Sequence, residues 1–560
     1  MMTPSARTTR TRNTTIATSS SSFVLPLLLV LVGVSTVRTA APVKGRGEWR
    51  LLRASIGISA MHMQLLPDDT VVIFDRTDFG RSNISLPGGR CRFDSYDLAL
   101  TTDCTAHSVL LLLPSAAVRP LSLLTDTWCS SGALLPNGSL LQTGGFNDGD
   151  RVIRLFSPSR GGRSDWVERP FYLSVRRWYA SNQLLPDGRV IILGGRRQFS
   201  YEFFPRELAG SRTVFQFPFL MDTWNRETEN NLYPFLHLLP DGTLFVFAND
   251  RAVVLDAIRH RVLRRLPPVP GGPRSYPSSG SSVLLPLRPG AAPEVLVCGG
   301  TPWGSYQAAL NGTFLPALRT CARIKPADSD PAWSLEDMPL PRVMGDMLLL
   351  PTCDVLIVNG AAAGTAGWEL ARNPVTRPVL YHPDRPAGRR FAVLKRSRIP
   401  RMYHSTAILD TYGRVLVGGS NPQAHYAFAN VMYPTELSLE AFHPPYLAAR
   451  TRPRVAAAPR EVGYGERVAL RFEAAGHYGA WEELVVEVVA VAPAFATHAV
   501  GMNQRAVVLE ASRAVWAWGN FGYVAEVVAP PSPKVAPPGY YLWFVVHAGV
   551  PSNGVWVRIR

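Results

Sequence analysis

Gln183-Leu-Leu-Pro-Asp-Gly188, continuing into Arg189-Val-Ile-Ile-Leu-Gly-Gly195, is an apolar run, a turn, and a second apolar run closed by paired glycines. Proline presets the first corner of a turn, aspartate bonds its own backbone, and glycine accepts the left-handed position. The segment therefore reads as a β-hairpin. Variants recur as Met63-Gln-Leu-Leu-Pro-Asp-Asp69, Ala133-Leu-Leu-Pro-Asn-Gly138 and His237-Leu-Leu-Pro-Asp-Gly242. Further copies are Val283-Leu-Leu-Pro286, Leu348-Leu-Leu-Pro-Thr-Cys353 and Ile408-Leu-Asp-Thr-Tyr-Gly413. Their turn positions, 67, 136, 186, 240, 286, 351 and 410, lie 46 to 69 residues apart. Seven hairpin units at this period predict an all-β fold, a seven-bladed kelch-like β-propeller with the hairpins as inner strands. Scattered hairpins of an ordinary sandwich are the alternative.

The rest of the chain divides around this repeat. Residues 1–41 contain the apolar run Phe23–Ser35, thirteen residues where a bilayer span needs about 20, so it reads as a secretory signal with small-residue cleavage points near Ser35 and Thr39–Ala41, a signal-anchor helix being the alternative. The propeller is assigned to 42–447. Past Pro444-Pro445 the paired glycines stop, and β-branched runs such as Leu484-Val-Val-Glu-Val-Val-Ala-Val491 predict an immunoglobulin-like β-sandwich over 448–560.

Composition narrows the class. Of 560 residues, 46% are hydrophobic and 18% charged, which excludes disorder for the bulk. The net charge is +16, with Arg7, Arg10, Arg12 and Arg38 inside the signal segment. The remaining charge is scattered without a basic block carrying interleaved aromatics, so nucleic acid is not an expected partner. No later segment suits a membrane span. A moderately basic secreted chain can adsorb to acidic polysaccharide, such as that of a cell wall, or to membrane surfaces, and loose association with the polysaccharide is the expected partner. For a secreted chain the six cysteines should pair; Cys91–Cys104 and Cys298–Cys321 are the short-range candidates, leaving Cys129 and Cys353. Asn83, Asn137 and Asn311 begin glycosylation sequons.

The repeat also has a phase. Seven residues before the turn proline come Cys129, Tyr179, Tyr233 and Met344. Taking Asp410 in place of the proline puts Tyr403 in the same phase, followed by His404. Equivalent positions on different blades point at the central axis, so a thiol, phenols and an imidazole converge from distant parts of the chain. Imidazole with phenolate oxygens suits a tetragonal site of the kind that favours Cu(II). Neighbours such as Tyr403 and His404 can both ligate only where the strand enters from its loop. One more nitrogen ligand is wanted, and no blade supplies it in phase. Taken singly, each tyrosine could be channel packing and Cys129 a buried thiol.

Asp126-Thr-Trp-Cys-Ser-Ser-Gly132, Arg176-Arg-Trp-Tyr-Ala-Ser-Asn182, Arg401-Met-Tyr-His-Ser-Thr406, Leu416-Val-Gly-Gly-Ser-Asn-Pro422 and Thr497-His-Ala-Val-Gly-Met-Asn-Gln504 together resemble the copper radical oxidases. The glyoxal oxidase branch, with its plant aldehyde oxidases, is the nearer likeness and galactose oxidase the more distant one. The resemblance implies one copper per chain, a thioether-linked Tyr179–Cys129 radical cofactor, and Tyr179, Tyr403, His404 and His498 as metal ligands. Tyr403 would be the axial ligand and base, and His498 the missing nitrogen, delivered by the C-terminal domain. Galactose oxidase carries a stacking Trp two residues after the Gly-Gly that follows its cross-linked tyrosine; here Gly194-Gly195 runs into Arg196-Arg197, leaving Phe199 or Tyr201 as candidates for that place. The implied activity is oxidation of small aldehydes of the glyoxal or methylglyoxal type to acids, with O2 reduced to H2O2, by a secreted, extracellular enzyme. Alternatives are a primary alcohol or galactose-type oxidase acting on cell-wall carbohydrate, or a non-catalytic binding propeller.

Overall fold

The computed structural model describes residues 45–159, 163–206, 213–474, 483–517 and 522–560. The expected signal segment lies outside them. Among the described residues no helix is long and apolar enough to cross a membrane.

Seven four-stranded antiparallel sheets follow one another, with inner strands His62–Leu65, Ser131–Leu134, Ala180–Leu184, Phe235–Leu238, Gly280–Leu284, Asp346–Leu349 and Ser405–Leu409. The seventh sheet takes its outer strand from the other end of the chain: Glu48–Arg53 pairs with Leu439–His443. Inner strands of successive blades lie side by side from blade 2 to blade 7, and blade 7 lies against blade 1. These strands are buried on both faces; most of their residues are apolar or small, and larger polar members such as His62, Gln183, His237 and Asp346 are hydrogen-bonded.

The hairpin turn is local chemistry. Gly188 donates its N–H to Leu185 O (3.0 Å) and Leu185 donates to Arg189 O (2.8 Å), with Gly188 left-handed at φ 82°. That is a tight turn with a glycine bulge. The paired glycines answer a different need. Gly419 sits at φ 73°, and a Cβ there would lie 2.6 Å from His404 O and 2.5 Å from Ala60 O, so only glycine lets the incoming loops pass.

The C-terminal part is a two-sheet sandwich. One sheet orders Arg454–Ala457, Arg467–Glu473, Gly522–Val528 and Val515–Ala517; the other orders Glu461–Val462, Val555–Ile559, Gly539–His547, Glu487–Ala492 and Arg505–Leu509. Between the last two neighbours the chain leaves the sandwich as a hairpin, Phe495–Thr497 and Val500–Met502. This hairpin adds to the inner edge of blade 1, Thr497 opposite His62. The predicted disulfides Cys91–Cys104 and Cys298–Cys321 are present, and Cys129 and Cys353 are free and buried.

Candidate metal centre and the cavity above it

The phase residues stand where their inner strands begin, in left-handed backbone: Cys129 (φ 53°), Tyr179 (66°), Tyr233 (48°), Met344 (60°) and His404 (61°). Each such residue costs about 1–2 kcal/mol of backbone strain. Hydrogen bonds from blade to blade sustain it: Tyr179 N donates to Cys129 O (3.0 Å), Tyr233 N to Tyr179 O (3.0 Å), and Met344 N to Ser279 O (2.7 Å).

Blade 7 corrects the phase count. Leu135, Leu185, Leu239 and Leu350 each donate to the carbonyl four residues on, and Asp410 does the same to Arg414 O, so Thr411, not Asp410, replaces the turn proline. The in-phase residue is therefore His404, with Tyr403 one before it. Asp410 instead caps its turn, accepting from Tyr412 N and Arg414 N. The left-handed His404 bends the chain so that consecutive side chains come together, their rings stacked 3.7 Å apart.

Buried guanidiniums pin these entry loops. Arg177 donates to Gly194 O and Ser200 O and pairs with Glu202 at 2.9 Å; Arg401 donates to Gly419 O and Ser438 O and pairs with Glu440 at 3.1 Å. The loops carrying Tyr179 and His404 are thus tied to their own blades by the same device.

His498 occupies the hairpin tip. His498 and Ala499 have φ 47° and 66°, the two-residue turn that matches strand twist. Asn503 accepts from Leu184 N (2.6 Å) and donates to Gly132 O (3.0 Å); Gln504 accepts from Leu349 N (2.6 Å) and donates to Met347 O (3.0 Å). Ser281 donates to Ala499 O (2.7 Å). The hairpin is thereby bonded to blades 2, 3, 5 and 6, which is the physical content of the Met-Asn-Gln motif.

Cys129 Sγ and one ring nitrogen each of His404 and His498 lie within 4.8 Å of one another. His404 and His498 rings are 4.9 Å apart, Tyr403 and His498 5.7 Å, and Tyr179 and His498 6.2 Å. Nδ1 of His404 faces Asn421 O at 3.0 Å, so it carries the proton, and Nε2 is buried with no hydrogen-bond partner among the described residues. His498 is held by Thr497 Oγ1 at Nδ1 (2.7 Å) and meets Cys129 Sγ at Nε2 (3.2 Å). Burial pushes both imidazoles well below their usual pKa, keeping them neutral as metal ligands must be. Burial also pushes Tyr179 and Tyr403 well above the ordinary phenol value, with neighbouring phenols adding to the effect. Neutral imidazoles, an orphaned nitrogen and protonated phenols fit a divalent cation whose charge would deprotonate the phenols. Tyr233 is not a ligand candidate: its hydroxyl is given to Ser130 O at 2.9 Å and its ring walls the site.

Tyr276 is a site residue that the repeat did not reveal. Its hydroxyl lies 2.6 Å from Tyr403 Oη and accepts from Tyr179 Oη at 3.2 Å, joining the two phenols. Above these three phenols opens a cavity of about 430 Å3, walled by Trp128, Trp178 and Trp368 and by Arg196, Arg197 and Glu229. Both arginines are tied to Glu229. The aromatics against Tyr179 are Trp178 (4.8 Å), Tyr276 (4.6 Å) and, edge-on, Tyr233 (5.5 Å), not the expected Phe199 or Tyr201, which pack between blades 3 and 4. The sequence signal was present: tryptophan precedes the phase residue in two successive blades, at Trp128-Cys129 and Trp178-Tyr179.

Fold and site together define a seven-bladed propeller whose central candidate metal site is completed by a hairpin from a second domain. Residues 61–446 match the family described as glyoxal oxidase N-terminus, and 452–559 match the galactose oxidase-like early set domain. The chain belongs to the glyoxal oxidase family. It is similar to aldehyde oxidase GLOX of Vitis pseudoreticulata, 46% identical over 523 residues, covering 92% of this chain and 97% of that one. Aldehyde oxidase GLOX1 of Arabidopsis thaliana is 43% identical over 539 residues, covering 94% and 86%. Among solved structures, a fungal alcohol oxidase of the AA5 family in complex with copper superimposes with a TM-score of 0.66 at 16% identity, over 92% of this chain and 100% of that one, a likeness of fold.

Proposed function

We propose that the protein is a copper radical oxidase that converts small aldehydes to carboxylic acids, consuming one water and one O2 and releasing one H2O2 per turnover. The observation that carries the reading is the meeting of Cys129, Tyr179, Tyr403, His404 and His498 at one buried point from four separate stretches of chain. The relatives' names, aldehyde oxidases across nearly the whole chain, agree with it. Tyr179, Tyr403, His404 and His498 would hold the copper, and Cys129 would join Tyr179. Copper and the Tyr179–Cys129 couple would each supply one of the two electron transfers that aldehyde oxidation requires.

This chain's residues account for the rest. The aldehyde enters the cavity and reacts as its hydrate. Tyr403, at the cavity floor, takes the proton of the hydrate hydroxyl, and the Tyr276 hydroxyl, 2.6 Å away, holds the Tyr403 oxygen in place. The tryptophan walls exclude water from the reacting carbon. Both histidines are held at Nδ1, by Asn421 O and Thr497 Oγ1, so that Nε2 faces the centre.

Peptide mass spectrometry on copper-loaded, aerated protein tests the reading: the Cys129 and Tyr179 peptides should appear joined, two hydrogens lighter than their sum, and resist thiol reductants. Separate peptides despite bound copper would leave a binding propeller. Peroxide release on methylglyoxal compared with galactose and aliphatic alcohols separates aldehyde from alcohol oxidation. We also propose that the chain is secreted; its two disulfides suit an oxidising compartment, and N-terminal sequencing of protein recovered from the medium tests it.

A further inference from the structure

Three tryptophans continue outward from Tyr179 in an unbroken row. Ring centroids are 4.8 Å apart for Tyr179–Trp178, 4.9 Å for Trp178–Trp128 and 5.2 Å for Trp128–Trp368, the last pair nearly parallel at 10°. Tyr179 is 5% exposed and Trp128 7%, whereas Trp368 is 39% exposed at the cavity rim. Indole is among the side chains most readily oxidised by one electron, and electron tunnelling is fastest between rings in contact. Water exclusion and substrate contact need aromatic surface, but they do not need a continuous row of indoles.

Two details suit the passage of a positive hole. The indole N–H of Trp128 is buried without an acceptor among the described residues. A radical cation there keeps its proton and passes the hole on, where an acceptor would trap it as a neutral radical. The Arg76 guanidinium, 4.0 Å over the Trp128 ring, would oppose charge on that ring. It is compensated by the Asp78 carboxylate, paired with it at 2.5 and 2.9 Å.

We propose that Trp178, Trp128 and Trp368 form an electron exit from Tyr179, through which a one-electron ferric oxidant outside the cavity brings the resting site to its radical form. The inference rests on the radical-oxidase reading above. One electron leaves the Tyr179 phenolate, crosses the three indoles in turn and reduces one Fe(III) of the oxidant to Fe(II). No bond forms or breaks, and no proton moves, because a phenol oxygen bound to a metal has already lost its proton.

The test uses full-length copper-loaded protein brought to the non-radical state with a mild reductant. It is mixed with an iron(III) polypyridyl complex, either free or tethered to dextran too large to enter the cavity. The readout is growth of the tyrosyl-radical absorption, not turnover. Wild type should respond to both oxidants, and Trp368→Phe and Trp128→Phe should each slow radical growth with the tethered oxidant by about tenfold or more. Trp368 is half-exposed, so its variant keeps the test open if Trp128→Phe fails to fold. Wild-type rates in both variants would overturn the route while leaving the site intact. A wild type that forms no radical with either oxidant would overturn the site reading itself.

Discussion

Replacing His107 should change how stability depends on pH. His107 lies buried between Asp75 and Asp103, its ring nitrogens 3.0 and 2.9 Å from their carboxylates. Burial opposes the imidazolium, and the Asp103 and Asp75 carboxylates overcome that penalty, raising the pKa from 6.5 to about 9. A rise of that size corresponds to ~3 kcal/mol of folding stability. Since the folded value lies above the unfolded one, the contribution is fully present below pH 6.5 and is lost as pH climbs through about 9. His107→Gln removes the charge while keeping a hydrogen-bonding group. Urea midpoints for both proteins across this range should show the gap between them narrowing by ~3 kcal/mol from the acid to the alkaline side. The comparison cancels the titrating groups remote from His107, whereas Asp75 and Asp103 lose in the variant the partner that lowers their pKa values. A gap that stays constant with pH would refute the ion-pair account. The cluster braces the metal centre as well: Tyr426 bonds Asp75, and Phe79, against the Tyr426 ring, lies 5.7 Å from the His404 ring. Copper retention in the variant should therefore fall in step with its stability.

Other outcomes follow from the same geometry. Tyr276→Phe leaves Tyr403 without its hydroxyl partner, so kcat/KM on aldehydes should drop about tenfold at unchanged copper content; full activity would remove Tyr276 from the mechanism. Glu440→Ala strips the carboxylate from buried Arg401 and should cost ~3–5 kcal/mol in urea unfolding, with Glu440→Gln costing less. Asn503→Ala leaves Leu184 N and Gly132 O unpaired, a loss of ~1–3 kcal/mol. It should also weaken copper binding by loosening the hairpin that carries His498, measured by metal competition, whereas unchanged affinity would mean that the remaining anchors suffice.

The propeller was legible because its turns are made by neighbours in sequence. Pro-Asp-Gly folds the same way in any blade, and inner strands buried on both faces leave seven recognisable apolar runs. Cys129 and Tyr179 were legible for the same reason: a fixed offset from a local turn becomes a fixed place near the axis. The count failed by one residue in blade 7, where Asp410 caps the turn in a leucine position and Thr411 stands for the proline. Neither side chain announces that shift. His498 entered only through resemblance to a known motif, because no repeat links the C-terminal hairpin to the blades.

What the sequence determined by itself is thus the repeat, its inner strands, the two disulfides and the residue types that meet at the axis. Tertiary structure alone decided that Tyr276 joins Tyr179 to Tyr403, that Trp178 and Tyr276 rather than Phe199 or Tyr201 cover Tyr179, and that Trp128 and Trp368 continue the row. Trp368 approaches Trp128 from 240 positions along the chain, in another blade. Local turn chemistry sets where each strand begins, but the packing of blade on blade sets which loops face one another. That packing involves all seven blades and the inserted hairpin, and no single segment encodes it.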